Sequence, residues 1–355
     1  NQILNKLILA GGGRVELNNG ATLTVNSGDF WPYSGVVITG SGRLVKIGTG
    51  FITFGATTAT YTGGTFIEQG TLHLYGGNNK LPATGDVTIS SSGTLNLAHT
   101  NQPATEQTIG GLFGSGTVSI PVTGQKVNFI VGNDNRAGSF SGVLQNGDGT
   151  LSVTKKGLDT LELGGASTYT GGTIVDAGTL LVSNAVGSAT GSGSVTVHQY
   201  ATLGGTGRIG GAVTVDHDGI LSPGNSIGTL YLQNDLTFEQ RAFLDVDIED
   251  AGRADLVQMA GGLLAPNGAT IRVNLDFSPD LGDSWTILQG EGIRSGIFNT
   301  EVTVGSGSEF LGGWKRFEVG YGNSVMLTVV PEPGALLLLG CALACGLLAR
   351  RRKQD

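Results

Sequence analysis

TYTGGTFIEQGTLHL, residues 60–74, returns as TYTGGTIVDAGTLLV at residues 168–182. A shorter motif runs through both copies. Gly-Thr-Leu stands at 70–72, 93–95, 149–151, 178–180 and 228–230, with the variants GATL at 20–23, ATL at 201–203 and GIL at 219–221. Beside these triplets apolar residues alternate with polar ones: Leu72/Leu74, Val87/Ile89, Leu95/Leu97, Val118/Ile120, Val195/Val197, Val213/Val215 and Leu230/Leu232. Period-two alternation is the pattern of a strand with one buried face. Gly, Asn, Asp and Ser fill the spaces between, where corners need positive φ. Short strands at a near-constant spacing cannot each bury a face alone, so they must stack. The expectation is an all-β solenoid with parallel ladders joining turns about 20 residues apart. A β-sandwich is the alternative, and it would show antiparallel hairpins between sequence neighbours.

Composition agrees with stacking. The chain has 62 glycines in 355 residues and 14% charged residues. Its glycine has no collagen period, and its periodic Val, Leu and Ile supply apolar surface that a disordered chain lacks. Setting aside residues 350–355, which hold four cations and one anion, leaves 16 Lys and Arg against 27 Asp and Glu, a net of −11. An acidic surface with dispersed cations argues against nucleic acid as a partner. The two cysteines, Cys341 and Cys345, both fall near the C-terminus, so residues 1–330 are expected to be held by hydrogen bonding and packing without disulfides. The chain opens at Asn1 with no apolar leader, which suggests a mature or truncated product.

The last residues, VPEPGALLLLGCALACGLLARRRKQD at 330–355, differ from everything before them. Pro331, Glu332 and Pro333 precede an uncharged run, 334–349, that ends in Arg350, Arg351, Arg352 and Lys353. As a helix the run spans roughly 24 Å, slightly short of the ~30 Å hydrocarbon layer. Snorkelling arginines cover the shortfall, and the basic cluster stays cytoplasmic, which places the rest of the chain outside. Pro333 suits the first helical turn. A plain tail anchor and a C-terminal core helix are the alternatives.

Triplet, apolar helix and basic end together resemble the PEP-CTERM sorting signal. That resemblance implies export, recognition at Pro331-Glu332-Pro333 by an exosortase-like membrane transpeptidase, transient residence in the inner membrane, and removal of the helix. The long repeat resembles the autotransporter-associated, or passenger-associated, β-strand repeat family. The lead-ins GSGRLVKIGTGFITFGATTA (40–59) and GDGTLSVTKKGLDTLELGGAS (147–167), the TYTGGT turns, and LSPGNS (221–226) carry it. It implies a right-handed parallel β-helix on or outside the bacterial surface. No run of amphipathic ten-residue strands of the outer-membrane barrel type precedes the terminus, so export is expected by the sorting route.

Three regions follow: β-helix repeats over 1–234, terminal rungs or a bulkier β cap over 235–330, and the sorting signal with its transmembrane helix over 331–355. In the middle region Asp245, Asp247 and Glu249 alternate along one strand, with Asp250 and Asp255 close by. Such carboxylates can bind Ca²⁺ or cleave polysaccharide, but a flat strand presents them in a row, and a solvated strand face is expected. His73, His99, His198 and His217 sit in different turns without metal-ligand spacing. Ser226 stands in GNSIG (224–228), which has the G-x-S-x-G spacing, but the residues after it read as a strand, so the strand-to-helix elbow of a hydrolase is not expected. GGTGRIGG (204–211) has no helix after it to receive a pyrophosphate, so its glycines are corner residues. Thr60/Thr62 and Thr168/Thr170 raise ice binding as a minor alternative, although an ice face needs T-x-T on successive turns. No catalytic, cofactor or metal residue is expected. The expected function is a structural or adhesive surface protein, not an enzyme, with extracellular polysaccharide as a further partner. A β-helical polysaccharide lyase or hydrolase is the alternative.

Overall fold

The computed structural model describes residues 2–4, 13–26, 28–30, 36–55, 58–97, 105–250, 252–290, 293–299, 302–306, 311 and 315–332. The expected membrane helix, Pro333 and the basic cluster at 350–353 lie outside the described residues. Among the described residues there is no α-helix, and the chain winds as a parallel β-solenoid.

The alternating residues decide which side of each strand faces inward. Leu161, Leu180, Leu203, Leu221, Leu244 and Ile271 stand side by side on successive turns, all buried. A second face stacks Val175, Val197, Val215 and Phe238. A third stacks Leu230, Val257 and Leu288. Core side chains therefore meet one another along the rod axis, and each strand's backbone is hydrogen-bonded to the turns above and below. Turn length varies: a short turn sets Leu203 beside Leu221, and a long one sets Arg272 beside Thr303. The expected near-constant spacing holds between Leu161 and Leu244. The corners absorb the extra residues elsewhere. Some corners admit only glycine: Gly205 has φ 105°, and a Cβ there would lie 2.1 Å from the Val182 carbonyl oxygen.

The two long repeats do not sit on the same face. Residues 65–67 belong to the column that continues through Val87, Leu112 and Gly138/Leu161 to Leu180. Their counterpart Thr173–Val175 lies in the other column, between Val153 and Val195. The offset between the copies thus covers four turns and two further faces, not a whole number of turns. One local contact recurs in both copies all the same, Tyr61 with Thr65 and Tyr169 with Thr173, each at 2.6 Å.

Beyond residue 280 antiparallel pairing is added on one face, while the parallel ladders continue through 288–290, 293–294 and 303–306. Ser284–Gly290 runs antiparallel to Ser324–Pro331, which also pairs antiparallel with Lys315–Tyr321. Trp285 packs edge-on against Phe277 and Phe317, each with centroids 6.1 Å away, and its Nε1 donates to the Asp250 carbonyl. The aromatic residues of this stretch fill the wider turns here, and the reversed pairing closes one sheet to further parallel addition.

Candidate functional surfaces

Two buried lysines escaped the sequence reading. Lys46 Nζ donates to the carbonyls of Ile47 (2.6 Å), Gly48 (2.7 Å) and Gln69 (3.0 Å). Lys155 Nζ donates to those of Lys156 (3.0 Å), Gly157 (2.8 Å) and Ala177 (3.0 Å). Each closes a corner, satisfying carbonyls that the turn leaves without backbone donors. Burial draws both ammonium groups down to about 8. The only sequence signal was a lysine at the same place in both lead-in segments. A few residues on, Tyr61 and Tyr169 are fully buried, each with its hydroxyl 2.6 Å from Thr65 or Thr173 Oγ1. These four residues are fastenings of the fold.

The carboxylates of the Phe243–Asp250 strand lie on its outward, partly exposed face, and each is paired there. Arg272, directly opposite on the next turn, grips Asp245 with two bonds of 2.6 Å and stacks over Phe243 at 4.1 Å. Asn274 Nδ2 donates to Asp247 at 2.8 Å. Arg253 spans Glu249 and Asp250. Asp255 is buried and accepts from the amides of Gly228 (2.8 Å) and Asp247 (3.0 Å). Burial raises its carboxyl to about 7, against the lowering effect of those bonds. It ties the strand to the turn holding Ser226, whose φ is 113°. A cavity of about 290 Å³ lies beside Ser226, Asp247, Glu249, Asn274 and Asp276. These carboxylates are engaged with neighbours, and no arrangement of acid and base across a cleft emerges from them.

Of the histidines, His73 is edge-on to Phe51 at 5.4 Å and held below its ordinary value by burial. His99 lies outside the described residues. His198 and His217 come together at one corner on successive turns. Register places Asp176, His198, Asp216 and Glu239 in one row, next after the stack of Val175, Val197, Val215 and Phe238. His198 Nδ1 is 3.1 Å from Asp176 Oδ1 and its Nε2 is 4.0 Å from Asp216 Oδ2. His217 Nδ1 is 3.0 Å from the Gln240 carbonyl and its Nε2 is 3.4 Å from Asp218 Oδ2. His198, Gln199, Asp216, His217, Glu239 and Gln240 line an open groove of about 660 Å³. Among the described residues no group of three or more His, Cys, Asp or Glu is placed to hold a metal ion. Sequence spacing could not announce this corner, since its members lie a full turn apart along the chain and meet only through strand register. The T-x-T threonines are not on adjacent turns. Thr196, Thr214 and Thr237 instead form a single row beside the histidine row.

The sorting triplet begins inside the fold. Pro331 is the last residue of its strand, opposite Lys315, and Glu332 follows directly.

Comparison with known proteins agrees with this architecture. The passenger-associated-transport-repeat family matches residues 44–74 and 153–182, the two long copies. The PEP-CTERM protein-sorting motif matches residues 329–353. An extracellular serine protease of Serratia marcescens is 34% identical over 146 residues, which is 38% of this chain and 13% of the protease. The adhesin BmaC autotransporter of Brucella suis biovar 1 (strain 1330) is 37% identical over 115 residues, 32% of this chain and 3% of the adhesin. The chain thus spans only a small part of the curated relatives it matches. It carries autotransporter-type passenger repeats together with a PEP-CTERM sorting motif.

Proposed function

We propose that this chain is an exported, non-enzymatic adhesive or structural rod that meets extracellular polysaccharide at the cell surface or in the surrounding matrix. In this reading residues 1–234 form the rod, 235–330 its terminal rungs and cap, and 331–355 a removable address. An exosortase-like transpeptidase in the inner membrane recognises Pro331-Glu332-Pro333, while 334–349 and Arg350, Arg351, Arg352 and Lys353 hold the chain in the bilayer until it acts.

One observation carries the reading: a solenoid whose carboxylates at 245–250 are tied to Arg or Asn neighbours runs without a linker into the sorting motif. A long, stiff rod suits display and contact along its length. The similarity to a passenger adhesin supports adhesion. Cleavage chemistry would need converging acid and base groups, and Asp245, Asp247 and Glu249 are each occupied by Arg or Asn.

The test is mass spectrometry of the chain released by a host that has an exosortase, alongside a glycan-binding panel and a lyase assay on the same glycans. Expected are a C-terminus at or near Pro331-Glu332-Pro333, retention on at least one glycan, and no turnover. Replacing the triplet with alanines is expected to leave the chain in the inner membrane. An intact 334–355 peptide on the released molecule, or turnover lost in the triple Asp245→Asn, Asp247→Asn, Glu249→Gln variant, would refute the proposal.

A further inference from the structure

We propose that the corner groove lined by His198, Gln199, Asp216, His217, Glu239 and Gln240 binds the primary amines of an amino-sugar polysaccharide, a proposal that rests on the adhesive reading and gives it a site. Carboxylates and carbonyls only accept hydrogen bonds. When His198 and His217 are neutral, Asp176 Oδ1 at 3.1 Å and the Gln240 carbonyl at 3.0 Å place the ring proton of each on Nδ1. Each Nε2 is then a bare lone pair. His198 Nε2 looks at Asp216 Oδ2 across 4.0 Å, and His217 Nε2 looks at Asp218 Oδ2 across 3.4 Å. Acceptor faces acceptor on two successive turns.

A donor with at least two hydrogens relieves this. One nitrogen making two bonds of about 2.8 Å at a tetrahedral angle, or somewhat less, joins acceptors roughly 4–4.6 Å apart, which matches the His198–Asp216 gap. An ammonium does so and adds charge complementarity. Among the described residues no Lys or Arg pairs with Asp216 or Glu239, whereas Asp218 is already held by Arg241 and Gln199.

The surroundings suit a polymer. Turns repeat at about 4.8 Å, so the groove offers comparable groups along the rod and fits a chain lying parallel to the axis. Tyr200, Asp218 and Arg241 take φ of 62°, 57° and 66° at this corner on three successive turns, where Gly178 stands on the turn before. Tyr200 is 72% exposed and offers a ring for the apolar face of a sugar. The Gln199 and Gln240 amides can meet ring hydroxyls. A polyuronate would meet carboxylates of its own sign.

The experiment titrates the exported chain by calorimetry with a glucosamine oligomer, the N-acetylglucosamine oligomer of equal length, and an oligouronate. Glucosamine is expected to bind at least tenfold tighter than its N-acetylated form, and the uronate not at all. The Asp216→Asn, Glu239→Gln double variant should lose at least tenfold with an unchanged melting curve, and His198→Phe should do likewise. Equal binding by wild type and double variant overturns the site but leaves the adhesive reading intact. A wild type that binds no glycan overturns both. Saturable binding of Zn²⁺ that needs His198 and His217, with no glucosamine binding, replaces the proposal with a metal site.

Discussion

Lys46 and Lys155 make the same three-carbonyl contact on two different faces of one rod. Each reaches one turn forward, to Gln69 and to Ala177 respectively, and both side chains are buried. Replacing either by methionine keeps the volume but strands three carbonyls, at a cost of about 1–3 kcal/mol per site. Hydrogen exchange is the suitable measurement, because a solenoid opens locally. Loss of protection should centre on the turn of the mutated lysine. Uniform loss along the rod would contradict a local fastening.

The same lysines set an alkaline pH dependence. Burial lowers their folded values to about 8 from 10.5. Between those values the unfolded chain binds more protons, so stability rises with pH across that window. Denaturation at pH 7.5 and 10 should show the slope in wild type and a smaller one in the Lys46→Met, Lys155→Met double variant.

Asp255 works in the opposite direction. Its folded value, about 7, lies above the ordinary aspartate value of 3.8, so the folded state binds the extra proton. Stability should fall as pH rises from about 4 to 7. In Asp255→Asn this component vanishes, and the amide NH₂ meets a backbone N–H where an oxygen accepted before. A further loss of about 1–3 kcal/mol is expected, seen first as faster exchange at the Gly228 and Asp247 amides.

Tyr61→Phe and Tyr169→Phe should cost nearly equal amounts, about 1 kcal/mol each, because both hydroxyls bond a threonine at 2.6 Å in full burial. Burial pushes both phenols above their usual range, so neither should ionise on mild alkaline titration. Unequal losses would show that face, rather than repeat, governs the environment.

Gly20 and Gly205 separate two costs. Both have positive φ, but a Cβ at Gly20 meets nothing within 4 Å, whereas at Gly205 it collides with the Val182 backbone. Gly20→Ala should cost only the left-handed conformation, about 1 kcal/mol. Gly205→Ala should cost at least twice that and disturb the Val182 pairing, measurable by thermal melting.

The alternation at Val195/Val197 or Leu230/Leu232 was enough to read the strands, their inward side and their stacking. It could not give register between distant turns. The pairing of Asp245 with Arg272 needs a longer turn than those that set Leu203 beside Leu221 and Leu221 beside Leu244, and nothing local announces the difference. The His198–Asp216 juxtaposition was hidden for the same reason. Lys46 and Lys155 were hidden because a lysine beside a strand normally reads as a surface residue, and only the corner carbonyls explain its burial. The sorting triplet was legible directly, since its meaning lies in order and position along the chain.

A repeat unit that covers four turns and two faces acts as a stepping rule for display. Adding one more copy would lengthen the rod and also advance the next TYTGGT loop to another side. Only after three copies would the loop return to its first bearing. Duplication in such a chain thus produces a winding arrangement of identical loops, with no change to the core that supports them.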